Sequence, residues 1–150
     1  MTPALSPALP AVFDVATPFG AFAADAAGVV TFAAGVPGFE QCRRFVLVTA
    51  AALEPFTCLH GLDAPSPSFL CIDPRLLVDG YAPRLSPADR RRLGADAATP
   101  LVWLAVVRLD DGGATANLRA PIVVNPDRML GVQVLEAEGP YTADHLLIGV

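Results

Sequence analysis

The chain has 150 residues, 53% of them hydrophobic, and a net charge of −5 in which every basic residue is an arginine. That length predicts one domain able to bury a core without metal or disulfide. The composition excludes two classes. The apolar runs Phe45–Leu53 and Leu101–Val107 stop well short of the ~20 residues a spanning helix needs, and Ala26–Phe39 is interrupted by three glycines and Pro37. Direct nucleic-acid binding needs a basic face to displace counterions, and the only basic run is Arg90-Arg91-Arg92. A basic protein partner fits the sequence pI of about 4.8 better.

Residues 1–10 hold three prolines and read as an extended tail, with the domain running over 11–150. This start lacks the basic n-region and apolar core of a secretory signal, and three cysteines cannot all pair within one chain. A reduced, cytoplasmic protein is the expectation.

From Ala11 onward, apolar runs of strand length alternate with turn residues. The expected strands are Val12–Ala16, Phe19–Ala24, Val29–Ala33, Arg44–Thr49, Phe56–Leu62, Ser68–Ile72, Leu101–Leu109, Ala114–Leu118, Pro121–Val124 and Gly131–Leu135. Asp25–Gly28 and Asp110–Gly113 supply turn residues that tolerate positive φ, as antiparallel hairpins require. Parallel βαβ crossovers have no room. One stretch reads as helix: Ser86 is the N-cap, Pro87 the first helical residue, Asp89 follows three after the cap, and Gly94 ends the helix after Leu93. The predicted fold is all-β, a mostly antiparallel β-barrel-like domain with one or two short helices.

Both alternating faces of Leu101–Val107 and of Phe45–Val48 are apolar, whereas a small barrel hides only its inner face. The outside therefore needs cover. The chain's own loops are the commoner source, and a protein partner is the alternative.

Catalytic patterns are missing. His60 and His145 lie far apart, and no GxSxG, HExxH or P-loop organises them. Cys58 and His60 share a strand face and Cys71 follows on the next strand, a partial zinc set for which buried structural cysteine is the favoured reading. Cys42 beside Arg43 and Arg44 is either a surface thiol without a role or a reactive one. No enzyme activity, metal or cofactor is expected.

Two segments are more specific. Gly35-Val-Pro-Gly-Phe-Glu40 sets an aromatic beside a carboxylate after a tight turn, with Phe39 either packed inward or exposed for recognition. Ala116-Asn-Leu-Arg-Ala-Pro-Ile-Val-Val-Asn125 joins two strands through a proline that donates nothing to a ladder, flanked by Asn117 and Asn125 as turn caps. These segments, extended to Phe32–Glu40 with Arg44–Leu47 and to Thr115–Pro126 with Gly131–Leu135, resemble the flagellar assembly factor FliW family. Pro18–Gly20, Ser68–Pro74, Tyr141 and His145-Leu146 fall in the same order, while residues 1–10, Ala50–Ala52 and the Leu146-Leu147 ending depart from the pattern.

The resemblance implies a non-enzymatic, cytoplasmic β-barrel that works by binding proteins. Its partners would be flagellin and the CsrA dimer, an RNA-binding translational repressor, competing for one protein so that flagellin synthesis follows export. Neither nucleic acid nor membrane would be bound directly. Phe39, Glu40, Asn117, Arg119 and Asn125 are the motif positions expected to shape or contact the partner surface. The alternative from another class is a small barrel that binds a flavin or other small ligand, with Trp103 and phenylalanines lining its pocket.

Overall fold

Alternating apolar residues bounded by turn residues produce ten strands in the computed structural model, which describes residues 9–135 and 137–147. Apart from Leu9 and Pro10, the expected tail lies outside the described residues. β1 (Val12–Thr17) and β2 (Gly20–Asp25) form a separate antiparallel hairpin. β3 (Val29–Thr31), β4 (Arg44–Val48), β5 (Phe56–Gly61), β6 (Ser68–Ile72), β7 (Val102–Asp110), β8 (Gly113–Asn125) and β9 (Leu130–Gln133) follow, with β10 at His145–Leu146.

The order β8-β7-β6-β5-β4-β3-β9 returns to β8 through a β8–β9 pairing, which closes a seven-stranded barrel. Every pairing is antiparallel except the single parallel contact Thr31↔Leu130 between β3 and β9. Closure leaves the long strand β8 shared: Ala116 and Thr115 pair with β10, while Ile122–Asn125 pair with β9. The two strands expected at Ala114–Leu118 and Pro121–Val124 are thus one strand of 13 residues, because Pro121 sits in a bulge and not in a turn. β10 escaped the sequence reading since two residues carry no periodicity.

Inside the barrel, Val30, Phe32, Phe45, Leu59, Cys71, Leu104, Ile122 and Val124 form the core. Gly131 is part of that design: a Cβ there would lie 2.6 Å from Phe32 Cζ, so the bare backbone makes room for the ring. Outside, the cover comes from the chain itself. The β1–β2 hairpin lays Val15 and Ala24 over Val46, Val48 and Cys58. Leu85 and Leu93 pack on Val123, Val132 and Val134. Tyr81, Leu77 and Tyr141 cover Leu70, Ile72, Ala105 and Val107. Each large apolar side chain so buried contributes about 1.5–3 kcal/mol. A partner is not needed to hide the strand faces, which removes surplus apolar area as a reason to expect one.

Helix α1 (Pro87–Leu93) forms as its ends dictate. Ser86 Oγ accepts from the Asp89 N–H at 3.0 Å, and Gly94 takes the left-handed conformation at φ 62°. Arg90–Arg92 occupy its last turn, where cations favour the helix dipole.

Candidate functional site

The most unusual backbone lies in β8. Leu104 pairs with Ile122, but the next registered pair is Val106 with Asn117, so Leu118, Arg119, Ala120 and Pro121 all stand opposite Ala105. A four-residue bulge strands many polar groups, and each finds a partner. Asn117 Oδ1 accepts from the N–H groups of Arg119 (3.0 Å) and Ala120 (2.9 Å). The Leu118 N–H donates to Thr142 O, Ala137 and Val134 donate to the carbonyls of Arg119 and Pro121, and Gln133 Nε2 donates to Ala120 O. Tyr81 donates its hydroxyl to Leu118 O at 2.8 Å from a buried position. Pro121, with no N–H, removes the one donor that would have been left over. The bulge is therefore rigid, and it holds Arg119 in solvent.

The second segment is a turn of equal definition. Val36 and Phe39 bridge, with the Phe39 N–H donating to Val36 O at 2.7 Å. Pro37 and Gly38 (φ 89°) occupy the two central positions that a type II turn assigns to proline and glycine. Gly35 has φ 71°, and a Cβ on it would lie 2.7 Å from Glu40 Cα. Glu40 closes the turn by accepting from the Gly38 N–H at 2.8 Å; this and its own N–H hold the exposed carboxyl below the usual range. Arg43 ties the base of the loop to the carbonyls of Ala33 and Glu40. Phe39 is half-buried, its ring edge-on to Phe69 at 5.6 Å, and Phe69 in turn meets Phe45 in the core at 6.1 Å. The two readings of Phe39 are thus both partly realised: the ring anchors the loop and keeps an open face.

These two segments meet. A cavity of about 340 Å³ is lined by Val36 and Pro37 from the turn, Asn117 from the bulge, and Phe69, Arg108 and Gln133 between them. On the other flank of the turn, Pro37, Glu40 and Gln133 border a second hollow with Arg92 and Leu135. The rim of the cavity thus carries Val36 and Pro37 of the turn and Asn117 at the foot of the bulge that holds Arg119, while Glu40 borders the hollow on the turn's other flank and Phe39 faces a separate one with Gly38, Gln41 and Pro65.

Asn125 does not belong to that rim. It is 1% exposed, donates to Leu93 O at 2.7 Å, and accepts from the Asp127 N–H at 3.1 Å, so it fastens the end of α1 to β8. Its role is to shape, by capping, as the sequence allows. Gln133, Arg108 and Tyr81 escaped sequence reasoning, since a lone polar residue in a strand and a lone aromatic in a loop carry no pattern.

The remaining candidates resolve simply. Cys42, Cys58 and Cys71 are free and buried. Cys42, read as either a surface thiol or an arginine-activated one, is neither: it is a core residue, and burial pushes its thiol upward more than Arg44 lowers it. Among the described residues no cluster of His, Cys, Asp or Glu could hold a metal ion. His60 is 9% exposed with Nδ1 2.6 Å from Ser68 Oγ, and desolvation lowers its pKa. Trp103 packs edge-on against Tyr81 on the outer face of β7, away from the cavity that the flavin reading assigned to it.

Among the described residues no helix is long and apolar enough to cross a membrane. The profile of a family described as FliW protein matches residues 15–147. A flagellar assembly factor FliW from Geobacter sulfurreducens is 34% identical over 131 residues, covering 86% of this chain and 82% of the relative. One from Moorella thermoacetica is 35% identical over 133 residues, covering 86% and 84%. A crystal structure of the flagellar assembly factor FliW superposes with TM-score 0.78 at 27% identity, covering 92% of this chain and all of that one. With the barrel, the turn and the bulge all in place, this chain belongs to the FliW family.

Proposed function

We propose that this protein is a cytoplasmic flagellar assembly factor that binds flagellin and, when flagellin is exported, captures the CsrA dimer and lifts its repression of flagellin synthesis. The observation that supports the reading is that the two family-like segments border one cavity, Val36 and Pro37 from the turn and Asn117 beside the bulge, and the proposed contacts are the exposed or half-buried side chains next to it, Phe39 and Glu40 on the turn and Asn117 and Arg119 at the bulge. Both segments are rigid, so a partner meets a preformed surface and little ordering entropy opposes docking. The net charge of −5 favours approach to a basic RNA-binding protein and disfavours RNA itself. Its relatives are assembly factors, and the work proposed for the rim is accordingly binding.

Competition measures this directly. In size-exclusion chromatography with flagellin and CsrA, two binary complexes and no ternary one are expected, and linkage requires each partner to weaken the other by the same factor. Gel shifts should show CsrA leaving its RNA while this protein alone leaves the RNA unshifted. A stable ternary complex, or tight RNA binding by the isolated protein, refutes the reading. Phe39→Ala is expected to weaken both complexes.

A further inference from the structure

The cavity beneath the rim has a chemistry of its own. Inward-facing residues alternate along β7, so Leu104 and Val106 pack on the core and Arg108 continues the same face to the barrel's end. β6 leaves β7 there. The ladder contains only Cys71↔Val106 and Ile72↔Ala105, and its continuation, Leu70 opposite Val107 and then Phe69 opposite Arg108, is not formed. Both side chains line the cavity at this parting.

Arg108 and Asn117 bring donors to it, and Gln133, whose Nε2 is committed to Ala120 O, brings one acceptor. Asn117 Oδ1 is committed to two backbone N–H groups, which fixes the amide orientation and leaves Nδ2 without an acceptor among the described residues. Thr115 adds a hydroxyl, and among the described residues Arg108 is the only charged one in the lining, in a chain of net charge −5. Val36, Phe69, Val106 and Ile122 supply apolar wall. The volume of about 340 Å³ falls at the small end of ligand pockets.

We propose that this barrel mouth binds a carboxylate carried on a short apolar stem, with the Arg108 guanidinium pairing the carboxylate, Asn117 Nδ2 and Thr115 Oγ1 donating to it, and the stem lying on Phe69 and Val106. Arginine suits the task because its fork meets a carboxylate with two parallel bonds. The shared chemistry has two sources, a free small acid or the terminal carboxylate of a polypeptide. The site stands independently of which protein docks on the rim.

The test is an amide NMR titration of the full chain with 3-methylbutanoate, with N-acetyl-Gly-Leu, and with the amide of each. Saturable shifts confined to residues 106–108, 115–117 and 133 are expected for the acids, at least tenfold weaker for the amides. Tighter binding of the dipeptide acid assigns a chain terminus, and equal or tighter binding of 3-methylbutanoate assigns a small acid. R108Q, at an exposed position, is expected to abolish the shifts with an unchanged melting temperature, and T115V to weaken them severalfold. Amides that bind as well as acids, shifts that survive R108Q, or no saturation by either acid overturn the proposal.

Discussion

Asn117 and Asn125 sit on the same strand, and both use the side-chain oxygen to accept from backbone N–H groups just ahead of them. Their surroundings separate them. At the Asn125 end, β8 is paired on both sides, helix α1 lies over it, and the amide is sealed against the Leu93 carbonyl. At the Asn117 end the strand bulges, the barrel parts, and the side chain borders an open cavity. One asparagine is part of the fold and the other is part of a surface. Identical local chemistry is thus sealed into the fold where the chain covers it, and left at the edge of an open cavity where the chain stops covering it.

Substitutions can break or sharpen that contrast. Asn125→Ala has the largest expected effect, about 2–3 kcal/mol, because it leaves a buried carbonyl and the Asp127 N–H without partners. Urea unfolding should show a lower midpoint, with partner affinity unchanged in whatever fraction remains folded. Equal loss of affinity in the folded fraction would place Asn125 among the contacts and erase the distinction.

Asn117→Ala is expected to cost about 1 kcal/mol, since water can reach the exposed Arg119 N–H it abandons. Partner binding should fall more steeply than stability, because the freed bulge no longer holds Arg119 in place. A variant with the same stability loss and full binding would reduce Asn117 to a turn cap.

Arg119→Ala should leave the melting curve within about 0.5 kcal/mol of the parent, as exposed substitutions usually do, while weakening whichever partner the bulge meets. Isothermal titration with each partner separates the two cases. Unchanged affinity for both would move the contact surface away from the bulge.

The smallest effect is expected in pH dependence. Burial lowers the His60 pKa in the folded state, so near the ordinary value of about 6.5 the unfolded chain takes up the proton first. Stability contributed by neutral His60 is full above that value and is lost as pH falls below it. Asp63, whose carboxyl is held low chiefly by the Arg44 side chain, begins to lose its contribution only below about 3.8, so the first loss on acidification belongs to His60. Melting temperatures from pH 7.5 to 5 should fall for the parent and stay flatter for His60→Gln.

Most strands, the helix with both ends, and the two segments that build the rim were legible in the sequence, because alternation, caps and proline–glycine turns act over a few neighbouring residues. Ser86, Pro87 and Gly94 specify α1 without help from the rest of the chain. What covers the barrel was not legible. The β1–β2 hairpin and the segment carrying Tyr81, Leu85 and Leu93 meet strands far away in sequence, and no local pattern says which apolar face a loop will reach. For the same reason Cys42 read as a surface thiol beside two arginines and proved to be core, and Asn125 could not be told from Asn117. Arg108 entered the site only because β6 parts from β7, a consequence of barrel closure and not of any residue spacing.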